Sequence, residues 1–164
     1  MAVGGDSAGG NLAAVTALMA RDSGLDLKLQ MLVYPATDAS QHYESFSENE
    51  AGPLLTVEVI DWFWSHYVGP ELNEGVRRDW RFSPALAADH EGLAPAYIAT
   101  CSADPLRDEG NAYAETLSSP VSQSSTRSSK ANRISCFKCS THVREQRDLS
   151  RNALQQLRRH SSED

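Results

Sequence analysis

The sequence predicts an α/β fold, a mostly parallel sheet with flanking helices, and three observations predict it. Short apolar runs alternate with stretches of helical spacing along the first 117 residues. Near the start, Gly5-Asp6-Ser7-Ala8-Gly9-Gly10 reads G-x-S-x-G, a pattern that makes a sharp strand-to-helix turn and lifts a serine Oγ clear of the sheet edge. Farther on, Ala96 to Cys101 reads as a short buried strand, with Asp104 in the loop just past its C-terminal end, where open α/β sheets gather their sites.

The elements follow in order. Only Met1 to Gly4 precede the motif, fewer than the about 5–6 residues of an ordinary strand, so the chain is expected to enter in mid-strand with further strands upstream. The turn leaves no room for side chains two residues to either side of the serine, a demand that Gly5 and Gly9 are expected to meet. Ala8 follows Ser7, and its backbone N–H is the expected first half of an oxyanion hole. Leu12, Ala13, Val15, Thr16, Met19 and Ala20 recur at helical spacing, and Ser23-Gly24 supplies a stop.

Leu27 to Tyr34 reads as a second strand that ends at Pro35, and the polar stretch from Asp38 to Pro53 reads as loop. Thr56 can cap a helix holding Val57, Ile60, Trp62, Phe63, Trp64 and Tyr67. Such an aromatic helix packs on a core more often than it walls a substrate pocket. A loop from Leu86 to Pro95 leads into the strand at Ala96, which Cys101 closes as a small core residue. A helix then runs from Glu109 toward Leu117, with Asp108 placed to cap it. There is no internal repeat and no second folded domain.

Residues Gly5 to Ala13, Gly-Asp-Ser-Ala-Gly-Gly-Asn-Leu-Ala, resemble the elbow of the hormone-sensitive-lipase family of α/β hydrolases, the fold-3 group. Val33-Tyr34-Pro35, Ser83-Pro84 and Ala103-Asp104-Pro105-Leu106-Arg107-Asp108-Glu109-Gly110 match that family in its own order, so the resemblance runs from residue 2 to about residue 117. It implies the C-terminal portion of an α/β-hydrolase fold, with the N-terminal strands and the His-Gly-Gly-Gly type loop that supplies the other oxyanion donors missing. It also implies a serine carboxylic-ester hydrolase, esterase- or lipase-like, working through an acyl-enzyme on a small-molecule ester without cofactor or metal. Ser7 would be the nucleophile and Asp104 the triad acid, and the region of Trp62, Phe63 and Trp64 would face the acyl or alcohol pocket.

A Ser-Asp pair needs a histidine between them, because the imidazole removes the serine proton while the carboxylate fixes its tautomer. The order expected for this fold is Ser, Asp, His. Only His142 and His160 follow Asp104, and neither stands in the family's Gly-x-x-His-x-Phe context. His42, His66 and His90 precede the acid and read as surface or cap-region residues.

Composition changes at residue 117. The front carries 6 Lys and Arg against 18 Asp and Glu, the tail 9 against 4, and about half of Ser118 to Lys130 is serine. The divisions are therefore 1–117, a partial hydrolase domain; 118–143, a serine-rich basic segment; and 144–164, a C-terminal helix and tail in which Leu149, Ala153, Leu154 and Leu157 share a face. The middle segment has two readings. One is a disordered basic linker. The other is a stretch translated out of frame: permitted codons for Ser119 to Val143, read two nucleotides later, spell a Val-Pro-Val strand followed by Gly-Gln-Ser-His-Phe-Val-Phe, a Gly-x-x-His segment that hides the histidine across the codons of Arg133 and Ile134.

Other functions find less support. The acidic front and patchy basic tail carry no recognised nucleic-acid motif. No apolar run is long enough to span a bilayer, and three cysteines without a secretory signal do not suggest a disulfide-built secreted protein. A cytoplasmic protein is expected, although an N-terminal signal could have been lost with the front. Cys136-Phe-Lys-Cys139 is formally C-x-x-C but has no second pair or histidine cluster beside it. Two alternatives to an enzyme stay open. One is a binding protein of the same fold, as the gibberellin receptors resemble this family and lack its catalytic histidine; the other is the unstable product of an eroded gene.

Overall fold

The computed structural model describes residues 1–118 in full and residues 135–139 as backbone. Four strands form one sheet in the order β1 (Ala2–Asp6), β2 (Leu29–Val33), β3 (Ala96–Cys101) and β4 (Ser135–Cys139), each parallel to its neighbour. The helices are α1 (Ala8–Asp22), α2 (Glu44–Glu48), α3 (Val57–Val68), α4 (Glu74–Arg77) and α5 (Arg107–Ser118). Single 3-10 turns at Gly69–Glu71 and Pro84–Leu86 complete the connections. This is the predicted α/β architecture, and because all strands run the same way, their C-terminal ends share one edge of the sheet.

The first strand is longer than the sequence suggests. Gly5 and Asp6 continue it, pairing with Leu32 and Val33 of β2, so five residues lie in the sheet before the turn. β2 is shorter than the apolar run that signals it, because Leu27 and Lys28 lead in and Tyr34 has already left the extended conformation at φ 37°. The stretch from Asp38 to Pro53 is not all loop. It contains α2, where Ser45 and Phe46 are buried.

Side chains of β2 and β3 alternate between two faces, as a strand's period of two requires. On one face Leu32, Ala96 and Ile98 pack beneath Ala13, Ala14, Ala17 and Leu18 of α1 and Tyr113, Ala114 and Leu117 of α5. The run of alanines lets α1 lie close on the sheet. On the other face Leu29, Tyr97 and Ala99 form a smaller cluster, with Met31, Val33 and Cys101 partly buried against it. Cys101 thus packs where the sequence places it.

A third cluster stands over the C-terminal edge. Ala39, Phe46, Ile60, Trp64 and Leu106 gather there from α2, α3 and the loops. Thr56 caps α3, its Oγ1 accepting from Val59 N at 3.2 Å. The aromatic residues of α3 divide: Trp64 is buried with Phe46 and Phe82 as ring neighbours and Arg77 over its face at 4.8 Å, while Trp62 and Phe63 are exposed.

β4 lies inside the serine-rich segment set apart by composition, and its backbone registers Tyr97 against Ser135 through Cys101 against Cys139. Residues 119–134 and 140–143 of that segment, with His142, and the C-terminal helix and tail expected at 144–164, with His160, lie outside the described residues. Among the described residues no helix is long and apolar enough to cross a membrane.

Candidate active site

Ser7 stands between the end of β1 and the start of α1, with φ 51° and ψ −119°. This is a conformation that L-residues adopt only when their surroundings hold them in it, and such residues concentrate at functional sites. Three backbone bonds hold this one. Ser7 N donates to Val33 O at 2.9 Å, while Ser7 O accepts from Asn11 N at 3.1 Å and from Ala36 N at 3.4 Å. The side chain occupies a helix N-cap position but makes no capping bond, so its hydroxyl is not spent on the helix.

The glycines around it have unequal work. A Cβ on Gly5 would lie 2.4 Å from the carbonyl carbon and oxygen of Gly9, so strand and helix meet with no space for a side chain at residue 5. A Cβ on Gly9 would meet only Asp6 Oδ1, at 3.9 Å, an ordinary contact. Gly9 is therefore not the second tight position expected from the motif. That position is Gly10, where a Cβ would fall 2.8 Å from Pro35 Cβ.

Ala8 is the first residue of α1. The opening N–H groups of an α-helix have no intrahelical acceptor and carry the positive end of its dipole. The Ala8 amide is thus of the kind that can receive negative charge forming beside Ser7.

Asp104 lies three residues past β3 on the same sheet edge, with β2 between it and the Ser7 turn. Two strand spacings place the parent strands roughly 10 Å apart. Its Oδ1 accepts from Leu106 N at 2.9 Å, and its carbonyl accepts from Arg107 N at 3.1 Å. Burial pushes its carboxyl above the ordinary aspartate value, partly offset by the Leu106 N–H. A cationic imidazole beside it would draw it back down.

Asp108 has a different place from the one expected. It lies within the first turn of α5, not before it, and one of its oxygens accepts from Ser45 N at 2.9 Å, at the start of α2. Arg107 Nε binds its other oxygen at 2.7 Å, and Arg107 Nη2 reaches Glu48 at 2.7 Å. The Arg107 hydrogen bonds hold the Asp108 carboxyl below its usual range. It is a brace between α5 and α2, while the helix entry is met by Asp104.

Several residues the motifs do not single out shape this edge. Tyr34 is the second described non-glycine residue with positive φ, and its hydroxyl donates to the Asp6 carboxylate; burial first and Asp6 next raise its pKa. Asn11 Nδ2 donates to Ala36 O at 2.8 Å and Phe82 O at 2.9 Å, tying α1 to two loops. Glu109 is 1% exposed and binds the backbone of Thr37. Asn11 and Glu109 both sit inside the strings that carry the family resemblance, which is the one sequence signal that marks them.

The histidines before the acid do not join the site. His42 stacks on Phe46 with centroids 4.8 Å apart, and His66 lies against Trp62 at 3.9 Å, both on the surface. His90 is a correction: it is buried, its Nε2 3.0 Å from Pro84 O and its ring edge-on to Tyr113. Among the described residues no group of three or more His, Cys, Asp or Glu side chains is arranged to hold a metal ion.

The profile of the alpha/beta hydrolase fold, fold-3 group, matches residues 1–133. The chain belongs to this family. It is 46% identical over 119 residues to carboxylesterase NlhH of Mycobacterium tuberculosis, a match covering 71% of this chain and 37% of that protein. Ethyl acetate hydrolase of Pseudomonas putida is 39% identical over 119 residues, covering 71% of this chain and 36% of its own length. Among solved structures, the alpha/beta hydrolase LAE6 from the metagenome of Lake Arreo, Spain, superposes with a TM-score of 0.70 at 38% identity, over 85% of this chain and 40% of that one. The chain thus spans little more than a third of the length of these relatives.

Proposed function

We propose that the protein is a serine carboxylic-ester hydrolase acting on a small-molecule ester through an acyl-enzyme. The observation that carries this is the conformation of Ser7, φ 51° and ψ −119° at the C-terminal end of a parallel strand, with the first N–H of a helix next to it. Relatives named as a carboxylesterase and an ethyl acetate hydrolase support the same substrate class.

In the proposed reaction Ser7 Oγ attacks the ester carbonyl, and the Ala8 N–H contributes to holding the oxyanion. Collapse of the tetrahedral intermediate expels the alcohol and leaves the acyl group on Ser7, from which water removes it. Asp104 orients a histidine that carries the proton between serine, leaving alcohol and water.

We further propose that this histidine is encoded in the shifted frame of residues 119–143, so the 164-residue chain is a slow catalyst and a protein with that frame restored is a fast one. The test is hydrolysis of p-nitrophenyl butyrate by both proteins and by their Ser7→Ala variants. The proposal expects turnover in the restored protein that disappears with Ser7. Equal turnover in the restored Ser7→Ala variant would contradict it.

A further inference from the structure

Between the turns that carry Ser7 and Asp104 lies β2, and the chain leaving β2 is bonded to both sides. Ala36 N donates to Ser7 O at 3.4 Å. One residue later, Thr37 is tied to α5 twice: its N–H donates to Glu109 Oε1 at 2.5 Å, and its Oγ1 donates to the Glu109 carbonyl at 3.0 Å. Asp38 N reaches the same Oε1 at 3.4 Å. The Thr37 carbonyl in turn accepts from Ala85 N at 3.0 Å.

The packing repeats this arrangement. Pro35 is wedged between α1 and α5, since a Cβ on Gly10 would lie 2.8 Å from Pro35 Cβ and one on Gly110 would lie 3.7 Å from Pro35 Cδ and 2.9 Å from Thr100 Cγ2. Helix α5 begins immediately after the Asp104 loop, with Arg107 N on Asp104 O and Gly110 N on Leu106 O. A shift of Glu109 therefore moves the Asp104 turn relative to Pro35–Asp38, and through Ala36 relative to Ser7.

Glu109 is an unusual choice for such a joint. It is 1% exposed, and among the described residues its Oε2 has no hydrogen-bond partner. The charged groups facing it are Asp38, on the loop it binds, and Asp104, on the loop before its own helix, and both oppose a second negative charge. A neutral acid meets this environment with Oε1 as a carbonyl acceptor for the Thr37 and Asp38 amides.

We propose that Glu109 is a positioning residue for the Ser7–Asp104 site, clamping the Pro35–Asp38 segment so that it acts as a fixed spacer between the two turns. The proposal rests on the reading of Ser7 and Asp104 as members of a triad. It assigns the acceptor oxygen, not negative charge, as the working part of the side chain.

The test uses the 164-residue chain and its Glu109→Ala and Glu109→Gln variants, with residue-resolved amide exchange by NMR. Glu109→Ala should speed exchange at Ala36, Thr37, Asp38 and Leu106 by on the order of tenfold or more, while Leu18 in α1 and Gln30 in β2 change less. Glu109→Gln, which keeps the acceptor, should restore the wild-type pattern. If Glu109→Ala fails to fold, Thr37→Ala removes only the hydroxyl bond and should give the same local pattern at smaller amplitude. Equal acceleration at every site, or a Gln variant no better than Ala, would overturn the clamp.

Covalent labelling of the frame-restored protein and its Glu109 variants by a fluorophosphonate separates this from the underlying reading. Label on Ser7, at a rate lowered at least tenfold by Glu109→Ala and restored by Glu109→Gln, supports the positioning role. Label on Ser7 with uniform exchange changes removes that role alone. The local exchange pattern with no label on Ser7 removes the reading of the site, leaving Glu109 a clamp for a loop without this chemistry.

Discussion

Adding one methyl group at each of three neighbouring glycines distinguishes the geometry of this turn from the bare motif. Gly5→Ala places a Cβ 2.4 Å from Gly9 C and O and 2.9 Å from its Cα, so backbone must move against backbone. Overpacking of this kind costs about 1–3 kcal/mol, and an obstacle that cannot rotate away puts Gly5→Ala at the upper end. Gly10→Ala meets Pro35 Cβ at 2.8 Å and Cα at 3.0 Å, a clash the loop can partly relieve, for about 1–2 kcal/mol in the same range.

Gly9→Ala meets nothing closer than 3.9 Å, and alanine favours a helix over glycine by up to about 1 kcal/mol. Urea unfolding measures all three. With a slope of about 2 kcal/mol/M, Gly5→Ala should lower the midpoint by about 1.5 M and Gly9→Ala should leave it unchanged or raise it. A Gly9→Ala variant destabilised as much as Gly5→Ala would refute the geometry.

Three further outcomes are expected. Burial raises the Glu109 carboxyl from 4.5 to about 8, so its contribution to stability is complete below about pH 4.5 and is lost as pH rises to about 8; urea midpoints should fall across that window, and Glu109→Gln should flatten the fall. In the frame-restored protein, Asp104→Asn should lower kcat by about 10⁴ with little change in KM, whereas Asp108→Asn should spare kcat and lower the urea midpoint, because it loosens the Ser45 amide and Arg107. Sequencing the DNA that encodes residues 117–144 should reveal an open frame two nucleotides out of phase that spells Val-Pro-Val and then Gly-Gln-Ser-His-Phe; stop codons there would make the segment an ordinary linker.

Periodicity made the strands, α1 and α3 readable, because Leu29–Val33 and Ala96–Cys101 are apolar runs and α1 repeats alanine and leucine toward the sheet. It misled where tertiary contacts decide. α2 is a polar five-residue helix, held by Ser45 Oγ on Pro105 O at 2.6 Å and Ser45 N on Asp108 at 2.9 Å, bonds made to residues some sixty positions away. β1 looked too short because Gly5 and Asp6 were assigned to the turn, yet both lie in the ladder.

The site divides in the same way. The positions of Ser7 and Asp104 past strand ends were legible, since motif and topology together place them at one edge. Glu109 was not, because an acidic residue in the first turn of a helix ordinarily reads as a partner of the helix dipole. Only the packing of α5 on Thr100 and Pro35 turns it inward.

The central claim is that Ser7 is a nucleophile set on a strained turn. Treating the frame-restored protein with a fluorophosphonate and mapping the adduct by tandem mass spectrometry tests it most directly. The account predicts that the label is carried by Ser7 and is absent after Ser7→Ala or after unfolding in urea. Label distributed over other serines, or undiminished in the Ser7→Ala variant, would contradict it.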